Sequence, residues 1–213
     1  MAQYAFHFDS NKCTGCKTCQ VACKETYKLP VNNLYRKVLN YQGGTWELNE
    51  AGSYVPNGVF GYFVSMACNH CVDPACVANC PTGAMQKDEE TGIVWTDHEV
   101  CIGCKTCIEA CPYHAPCYDE QESKTYKCDM CTDRQERGEL PACGAACPGM
   151  NLAVGEMADL EKAHQADIVS DDAVETKPNF VITVDPALSA EPDDTAVEAR
   201  AAELAASKTA KKA

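Results

Sequence analysis

Residues that favour β-strands occur in short runs along this chain, separated by turn-forming residues. The clearest case begins with a short run in residues 81–88, followed by a turn that ends in glycine and a second run at 93–97. In the second run, Val94 and Thr96 occupy one predicted face, because side chains alternate between the two faces of a strand. The pattern therefore predicts a small β-hairpin that begins near Gln86 and ends in the second run.

A second β-rich region is predicted in residues 30–65. The glycine pair Gly43 and Gly44 favours a hairpin turn, and residues 59–64 are rich in β-branched and aromatic side chains. We expect this region to be an insertion. It is either a hairpin that covers neighbouring loops or a surface that contacts another protein.

Helical patterns are limited to short segments. Residues 19–27 and 107–111 are expected to form short helical turns, and residues 152–165 have a longer helical pattern. Residues 179–184 lie between two prolines, which predicts a short edge strand. Residues 189–213 are rich in Ala, Glu and Lys but lack a strong apolar stripe, so we expect a marginal helix or a disordered tail. No stretch holds about 20 mainly apolar residues, and no membrane-spanning helix is expected.

The cysteine content changes the picture of the core. Hydrophobic residues make up 46% of the 213 residues in the chain, and this count includes 17 cysteines. The remaining fraction, about 38%, is low for a conventional core. We therefore expect bound metal to serve as part of the core, so that its removal unfolds the protein. A secreted disulfide scaffold is disfavoured, because the cysteine count is odd, the chain is long for that class and the N-terminus shows no secretory signal.

The charge balance restricts the class of partner. The chain has 18 Lys and Arg residues against 31 Asp and Glu residues, for a net charge of −13. A protein that binds nucleic acid needs a basic surface, and no basic region is visible in this sequence, so we expect no nucleic-acid partner. The acidity fits either solubility or partners with basic docking faces.

Sixteen of the seventeen cysteines fall into four groups of four. The groups are Cys13, Cys16, Cys19, Cys23; Cys68, Cys71, Cys76, Cys80; Cys101, Cys104, Cys107, Cys111; and Cys128, Cys131, Cys143, Cys147. The first and third groups have the spacing Cys-x2-Cys-x2-Cys-x3-Cys of bacterial ferredoxins, in which three thiolates hold one iron–sulfur cluster and the fourth reaches a second cluster. Sixteen thiolates are enough for four 4Fe–4S clusters, so the sequence predicts an electron-transfer protein with iron bound through these cysteines.

The ferredoxin spacing requires the groups to work in pairs. The predicted hairpin joins the second and third groups, so we expect these two to pair and the first and fourth to pair with each other. Spacing alone also allows the first group to pair with the second and the third with the fourth. The preferred arrangement defines four sites: site 1, Cys13, Cys16, Cys19 and Cys147; site 2, Cys23, Cys128, Cys131 and Cys143; site 3, Cys68, Cys71, Cys76 and Cys111; site 4, Cys80, Cys101, Cys104 and Cys107.

This pairing predicts an α+β fold in which one ferredoxin-like unit is nested inside another. The predicted divisions are an outer unit (residues 1–29 plus 118–158), a β-rich insertion (30–65), an inner unit (66–117), a C-terminal extension (159–188) and a tail (189–213). We find no nucleophile paired with a base and no phosphate-binding loop, so no catalytic residues are expected.

Several residues beside the groups have competing interpretations. The fourth group alone also fits a four-thiolate zinc site. Cys117 is expected to be a small buried residue rather than a ligand. His70 and His114 are expected to be outer hydrogen-bond donors or surface residues rather than iron ligands. Lysines in or next to the cysteine loops could raise the local reduction potential or simply be solvated; they are Lys12, Lys17 and Lys105.

Motifs along the chain resemble those of the iron–sulfur subunit of anaerobic dimethyl sulfoxide reductases. They are Cys13-Thr14-Gly15-Cys16-Lys17-Thr18-Cys19 with Ala22-Cys23-Lys24; Tyr41-x-Gly43-Gly44-x-Trp46; Cys68-Asn69-His70-Cys71 with Asp73-Pro74-Ala75-Cys76; Cys101-Ile102-Gly103-Cys104; Lys127-Cys128-Asp129-x-Cys131-x-Asp133-Arg134; and Thr176-Lys177-Pro178-Asn179. The resemblance covers roughly residues 4–184. It implies the nested double-ferredoxin fold, the pairing above and four 4Fe–4S clusters.

The resemblance also implies a role. Subunits of this family are not catalytic; they pass electrons between a quinol-linked membrane anchor and a catalytic subunit that contains molybdopterin. We therefore expect the protein to lie peripherally at the cytoplasmic membrane. The sequence leaves the side of the membrane open, since family members without a signal can be exported folded with their catalytic partner. Otherwise we expect the protein to be cytoplasmic. A stand-alone soluble polyferredoxin and a zinc-stabilised interaction protein are the alternatives. The substrate of the complex and the direction of electron flow stay open.

Overall fold

The computed structural model describes residues 3–164, 167–168 and 176–183, so the predicted tail lies outside the described residues. The strands are β1 (Tyr4–Asp9), β2 (Lys37–Leu48), β3 (Tyr54–Met66), β4 (Met85–Lys87), β5 (Val94–Thr96), β6 (Cys117–Asp119), β7 (Lys124–Tyr126), β8 (Leu152–Glu156), β9 (Asp167–Ile168) and β10 (Phe180–Thr183). The helices are α1 (Thr18–Thr26), α2 (Ala75–Ala78), α3 (Thr106–Ala110), α4 (Thr132–Glu136), α5 (Ala142–Ala145) and α6 (Met157–His164), with a 3-10 turn at Ser10–Lys12. The fold is therefore a mixture of short helices and strands.

A four-stranded sheet joins distant parts of the chain in the order β8-β1-β10-β9. Strand β1 pairs antiparallel with β8 and parallel with β10, and its buried Phe6 and Phe8 contribute to the main core. The prediction of an edge strand near residue 180 was wrong, because β10 has a partner on each side. Pro178 and Pro186 lie outside Phe180–Thr183, so the N–H groups within the strand are free to pair.

The predicted helix at residues 152–165 was also wrong in its first third. Residues 152–156 form β8, and the helix α6 begins only at Met157. Pairing with β1, for example of Leu152 with Phe8, satisfies the backbone groups of this segment and buries Leu152. A tertiary partner therefore overrides the local helical pattern here.

Three predicted local elements are confirmed. Strands β4 and β5 form an antiparallel hairpin in which Met85 pairs with Thr96. Helices α1 and α3 occupy the two segments that were expected to form helical turns.

Among the described residues, no helix has the length and apolar character needed to span a membrane.

Strands β2 and β3 form a long hairpin whose turn is not at the predicted place. The turn lies at residues 49–53, where the Asn49 N–H donates to the carbonyl of Ser53 over 2.9 Å. Gly43 and Gly44 lie within β2 at a β-bulge. Gly44 has φ +88°, and a Cβ at this position would lie 2.4 Å from the carbonyl oxygen of Gly58. The glycine pair thus permits a bulge and a close backbone approach, not a turn.

The main buried core contains six cysteines among ordinary apolar residues. They are Cys19, Cys23, Cys68, Cys111, Cys128 and Cys143. Aromatic side chains from distant parts of the sequence, including Phe8 and Phe180, pack in the same core. These six sulfur atoms therefore lie inside the protein rather than on peripheral loops, as the low apolar content suggested.

Candidate metal centres

Three cavities are each lined by four cysteine side chains. One is lined by Cys13, Cys16, Cys19 and Cys147, a second by Cys68, Cys71, Cys76 and Cys111, and a third by Cys80, Cys101, Cys104 and Cys107. Each cavity takes three cysteines from one sequence group and one from another. These are the residue sets of sites 1, 3 and 4.

The four cysteines of site 2 are neighbours in the interior. Burial, followed by repulsion from Cys143, raises the pKa of Cys23 to about 12. Burial, followed by repulsion from Cys23, also raises the pKa of Cys128 well above its usual value. Burial raises the pKa of Cys131, with a further contribution from Cys143. The thiols of all four residues are thus close enough to interact, although they are spread over residues 23–143.

The loops of sites 1 and 4 share one backbone conformation. Each contains Gly-Cys-Lys-Thr-Cys, in which the glycine and the lysine both have positive φ: Gly15 at 67°, Lys17 at 61°, Gly103 at 66° and Lys105 at 65°. Left-handed residues in a turn let successive N–H groups point into one concavity, which is a common way to hold an anionic group such as an iron–sulfur cluster. The short helix after each loop then places the next cysteine over the same cavity.

Hydrogen-bond donors reach sulfur atoms of sites 1, 2 and 4. The pairs are Met85 N–H to Cys80 Sγ (3.4 Å), Met130 N–H to Cys128 Sγ (3.4 Å), Asn151 N–H to Cys147 Sγ (3.3 Å), Thr18 Oγ1 to Cys16 Sγ (3.3 Å), Thr106 Oγ1 to Cys104 Sγ (3.4 Å) and Ser65 Oγ with Cys19 Sγ (3.3 Å). Such donors favour the thiolate over the thiol. They are also a means by which a protein sets the potential of a bound cluster.

The sites differ in their exposure to solvent. All cysteines of sites 2 and 3 are buried, whereas site 1 has the exposed Cys16 and site 4 has the exposed Cys104. Hydrogen bonds from Thr18 and Thr106 lower the pKa of these two exposed thiols. In the interior, burial raises the pKa of Cys76 to about 12. Sites 1 and 4 therefore reach the surface, and sites 2 and 3 do not.

Cysteines of different sites lie near one another in the interior. Cys19 of site 1 interacts with Cys143 of site 2, and Cys128 of site 2 interacts with Cys68 of site 3. Cys76 of site 3 and Cys107 of site 4 belong to one buried cluster. These neighbours indicate the order 1, 2, 3, 4, in which the first and last sites each have one exposed cysteine.

The donor sets fit 4Fe–4S clusters. Sites 1, 3 and 4 each present four thiols around a cavity, and four thiolates are the ligands of such a cluster. The raised pKa values of Cys23, Cys76 and Cys128 mean that these thiols give up their protons only when metal binds, which couples binding to the folded state. Within the described part of the chain, no group of three or more His, Cys, Asp or Glu side chains is arranged around a single metal ion. A cluster of four irons needs a wider cage than one ion does.

Two buried cations beside the sites were not predicted from the sequence. Arg36 is 1% exposed and Lys127 is 6% exposed. The Lys127 ammonium donates to the carbonyls of Val94 and Cys128. Nothing in the sequence distinguishes these two residues from other basic residues, since Arg36 lies between Tyr35 and Lys37 and Lys127 lies between Tyr126 and Cys128.

The lysines that were predicted to affect the potential are more exposed. Lys12 forms an ion pair with Asp9 at 2.8 Å, and the ammonium of Lys105 lies 3.8 Å from the centre of the Tyr118 ring. Lys17 lies exposed at the start of α1. An effect of these lysines on the potential stays a prediction.

The two histidines and the odd cysteine have different surroundings. His70 is fully buried, and its Nδ1 accepts a hydrogen bond from the Val94 N–H over 2.9 Å. Burial holds the pKa of His70 well below its ordinary value, so the ring is neutral with its proton on Nε2. His114 is exposed. Cys117 is only partly buried, in β6, where it packs against the main core.

Comparisons with known proteins identify the type of metal centre. A family model described as 4Fe-4S dicluster domain matches residues 59–157, and one described as 4Fe-4S binding domain matches residues 4–25. The protein is 43% identical to the B subunit of the anaerobic dimethyl sulfoxide reductase of Haemophilus influenzae, over 85% of this chain and 89% of that subunit. It is 45% identical to the B subunit of the enzyme of the same name in Escherichia coli strain K12, over 84% of this chain and 88% of that subunit.

A more distant relative shares only part of its length with this chain. The hydrogenase-2 operon protein HybA of Escherichia coli O157:H7 is 34% identical over 72% of this chain and 52% of that protein. The matched domain models together cover all four cysteine groups, and they establish that the protein binds 4Fe–4S clusters.

Proposed function

Because this protein belongs to the family of anaerobic dimethyl sulfoxide reductase B subunits, we propose that it relays electrons through four 4Fe–4S clusters between a quinol-linked membrane anchor and a molybdopterin-containing catalytic subunit. It is an iron–sulfur electron-transfer subunit and not the catalytic subunit of its complex. On this proposal it lies peripherally at the cytoplasmic membrane, where the anchor holds it.

The burial order of the cysteines is the observation that carries the proposal. A bound 4Fe–4S cluster supplies one-electron chemistry. The chain contributes an interior in which sites 2 and 3 are closed to water, and two ends at which Cys16 and Cys104 meet the surface. A relay between two partners needs both features: insulated sites in the middle and one accessible site at each end.

The same geometry supports the proposed ligand sets. Sites 1, 3 and 4 coincide with the linings of three cavities, and in site 2 burial and a neighbouring cysteine of the site raise the pKa of Cys23, Cys128 and Cys131. We assign the outer ferredoxin-like unit to residues 1–29 and 118–158 and the inner unit to 66–117. Residues 30–65 then form the insertion, and residues 159–188 form the extension. The hairpin β4–β5 connects the two groups of the inner unit.

Anaerobic purification of the tagged chain from its host tests the proposal. We expect about sixteen iron atoms per chain, together with a large subunit that contains molybdenum and a subunit embedded in the membrane. The isolated chain should accept electrons but reduce no sulfoxide. A chain that carries its full iron content and purifies without either partner would instead be a stand-alone polyferredoxin.

A further inference from the structure

The β2–β3 hairpin has two halves with different surroundings. Its first half packs on site 1: the Val38 N–H donates to Gln20 Oε1 over 3.0 Å, and Ser65 Oγ lies 3.3 Å from Cys19 Sγ. Beyond the bulge, all residues from 44 to 59 are exposed. We call residues 44–59 the arm. The arm extends from the wall of site 1 without contact that would bury it.

The arm has one apolar face and one mixed face. Trp46 pairs with Pro56 and Leu48 pairs with Tyr54, and these four side chains share a face because they are directly opposite and two residues apart. Trp46, Leu48 and Tyr54 are 61%, 63% and 71% exposed. The other face carries Thr45 opposite Asn57 and Glu47 opposite Val55, where Asn57 Nδ2 donates to Glu47 Oε1 over 2.6 Å.

This exposure calls for a partner. An isolated two-stranded hairpin is only marginally stable in water. Large aromatic side chains that are clustered and exposed are typical of the centre of a protein interface, where Trp and Tyr contribute most of the binding energy. The arm has both properties, and nothing in the described residues of this chain covers its apolar face.

Charge indicates the chemistry of the occupant. The arm carries Glu47 and Glu50, and no Lys or Arg occurs between Lys37 and Lys87. An anionic membrane surface recruits segments rich in Lys and Arg, so lipid does not fit this arm. A second copy of this chain would bring the same acidic residues to the contact. A protein groove that is apolar inside and basic at its rim is complementary to both features.

We propose that the arm docks into such a groove on the protein that exchanges electrons with site 1. The inference rests on the proposed function, because it identifies one of the two partners of the relay with the occupant of the arm. The base of the hairpin is a wall of site 1, where the Phe63 ring lies so close to Gly15 that a Cβ there would be 2.5 Å from the ring. A partner that binds the arm is therefore positioned beside the exposed Cys16.

Photo-crosslinking within the purified native complex tests the docking. A photoreactive residue replaces Leu48 on the apolar face, Val55 on the other face, or Lys17 beside Cys16. We expect the probes at 48 and 17 to label the same polypeptide, and the probe at 55 to label it at least several-fold less. The double variant Trp46→Ser with Tyr54→Ser should reduce recovery of that polypeptide about tenfold, while Thr45→Ser with Val55→Ser retains it.

Several outcomes would overturn the docking alone. These are labelling of lipid or of a second copy of this chain, labelling of different polypeptides from 48 and 17, or full recovery of the complex with the apolar-face variant. Iron content equal to that of the unchanged chain shows that a variant is folded. Failure of the unchanged chain to purify with any partner would instead contradict the proposed function.

A second, independent observation concerns Arg36. Its Nη1 donates to the carbonyl of Ser65 over 3.0 Å and to Ser65 Oγ over 3.2 Å, and its guanidinium carbon lies 4.3 Å from the centre of the Phe6 ring. Within the described residues, its Nε and Nη2 have no hydrogen-bond partner and no carboxylate forms an ion pair with it.

The negative charges that act most strongly on Arg36 are those of cysteines in two sites. They are Cys19 of site 1 with Cys23, Cys128 and Cys143 of site 2. Burial alone would lower the pKa of Arg36, but these thiolates outweigh burial and raise it. A buried charge without an opposite charge is strongly destabilising. The four thiolates, once metal-bound, are the groups that offset this cation.

We infer that Arg36 is a shared counter-ion of sites 1 and 2 and raises the reduction potential of clusters held there. The inference rests on the proposed ligand sets. A positive charge stabilises the extra electron of the reduced state, and burial leaves its field unscreened by solvent. Ser65 holds the guanidinium in place and at the same time contacts Cys19 Sγ, which ties the cation to the edge of site 1.

Redox titration followed by electron paramagnetic resonance tests this role in the purified complex. Arg36→Gln should lower the midpoint potentials of two clusters and leave the other two unchanged, while Arg36→Lys should retain most of the native values. Arg137→Gln removes an exposed charge that is paired with Glu139 and should change none of the four.

Equal shifts of all four clusters, no shift, or identical potentials in the Gln and Lys variants would overturn the inference. If the Gln variant binds no iron, the Lys variant provides the test. Iron binding with near-native potentials in the Lys variant supports a role for the positive charge. Loss of iron in both variants would mean that Arg36 acts through its shape and not its charge. Iron bound normally by the unchanged chain, but with other ligands, would contradict the ligand sets instead.

Discussion

Individual cysteines in this protein have roles that their sequence neighbours do not share. Cys80 follows Cys76 by four residues, yet Cys76 lines the cavity of site 3 and Cys80 lines that of site 4. The Met85 N–H donates to Cys80 Sγ over 3.4 Å, so the hairpin β4–β5 also holds this sulfur toward site 4. The sequence group to which a cysteine belongs therefore does not determine which site it lines.

Substitution of Cys80 tests this division. Cys80→Ser should disrupt the cluster of site 4 and spare that of site 3, with loss of about a quarter of the iron. Cys76→Ser is the matched control and should do the reverse. Mössbauer and paramagnetic resonance spectra of the two variants distinguish the clusters. Loss of the same signal in both variants would contradict the assigned ligand sets.

Among the elements, the β2–β3 hairpin depends most on one backbone position. Gly44 has φ +88°, and the chain of β3 passes so closely that a Cβ would lie 2.4 Å from the carbonyl oxygen of Gly58. The bulge therefore needs glycine for two reasons, conformation and space. It marks the boundary between the half that walls site 1 and the exposed arm.

Replacement of this glycine should loosen the arm. Gly44→Ala combines left-handed strain, on the order of 1–3 kcal/mol, with a backbone clash. Gly52→Ala is the control, since Gly52 has φ +74° but no atom within 4 Å of its Cβ position. We expect hydrogen–deuterium exchange in residues 44–59 to be faster in the first variant than in the second. Equal exchange would show that the clash has no effect.

At the scale of the whole molecule, the cysteine-lined sites and the main core occupy the same region. Six cysteines belong to the main core, and Arg36 and Lys127 are buried beside them. Without metal, these cations lose the negative groups that offset them, and the space between the thiols is left without packing atoms. The folded state is therefore coupled to metal binding.

Removal of iron should unfold the protein. Anaerobic treatment with an iron chelator is expected to abolish the near-ultraviolet circular dichroism and most of the far-ultraviolet signal, in parallel with the loss of iron. Return of iron and sulfide under reducing conditions should restore both signals. A chelated protein that keeps its native spectrum and resists proteolysis would contradict this expectation.

The local elements and the ligand type could be predicted from the sequence, because they depend on residues close together in the chain. The hairpin β4–β5, the helices α1 and α3 and the four cysteine groups are of this kind. Cysteine spacing also predicted the 4Fe–4S clusters, since three of the four cysteines in each proposed site belong to one local group.

Only the tertiary structure decided features that depend on distant partners. Gly43 and Gly44 form a bulge and not a turn, because Gly58 of the opposite strand approaches them. Residues 152–156 form a strand because β1 is beside them. The burial of Arg36 could not be predicted from the sequence, because arginine is usually exposed. In each case the free energy comes from packing between segments that are far apart in sequence, and a local pattern contains no information about that contact.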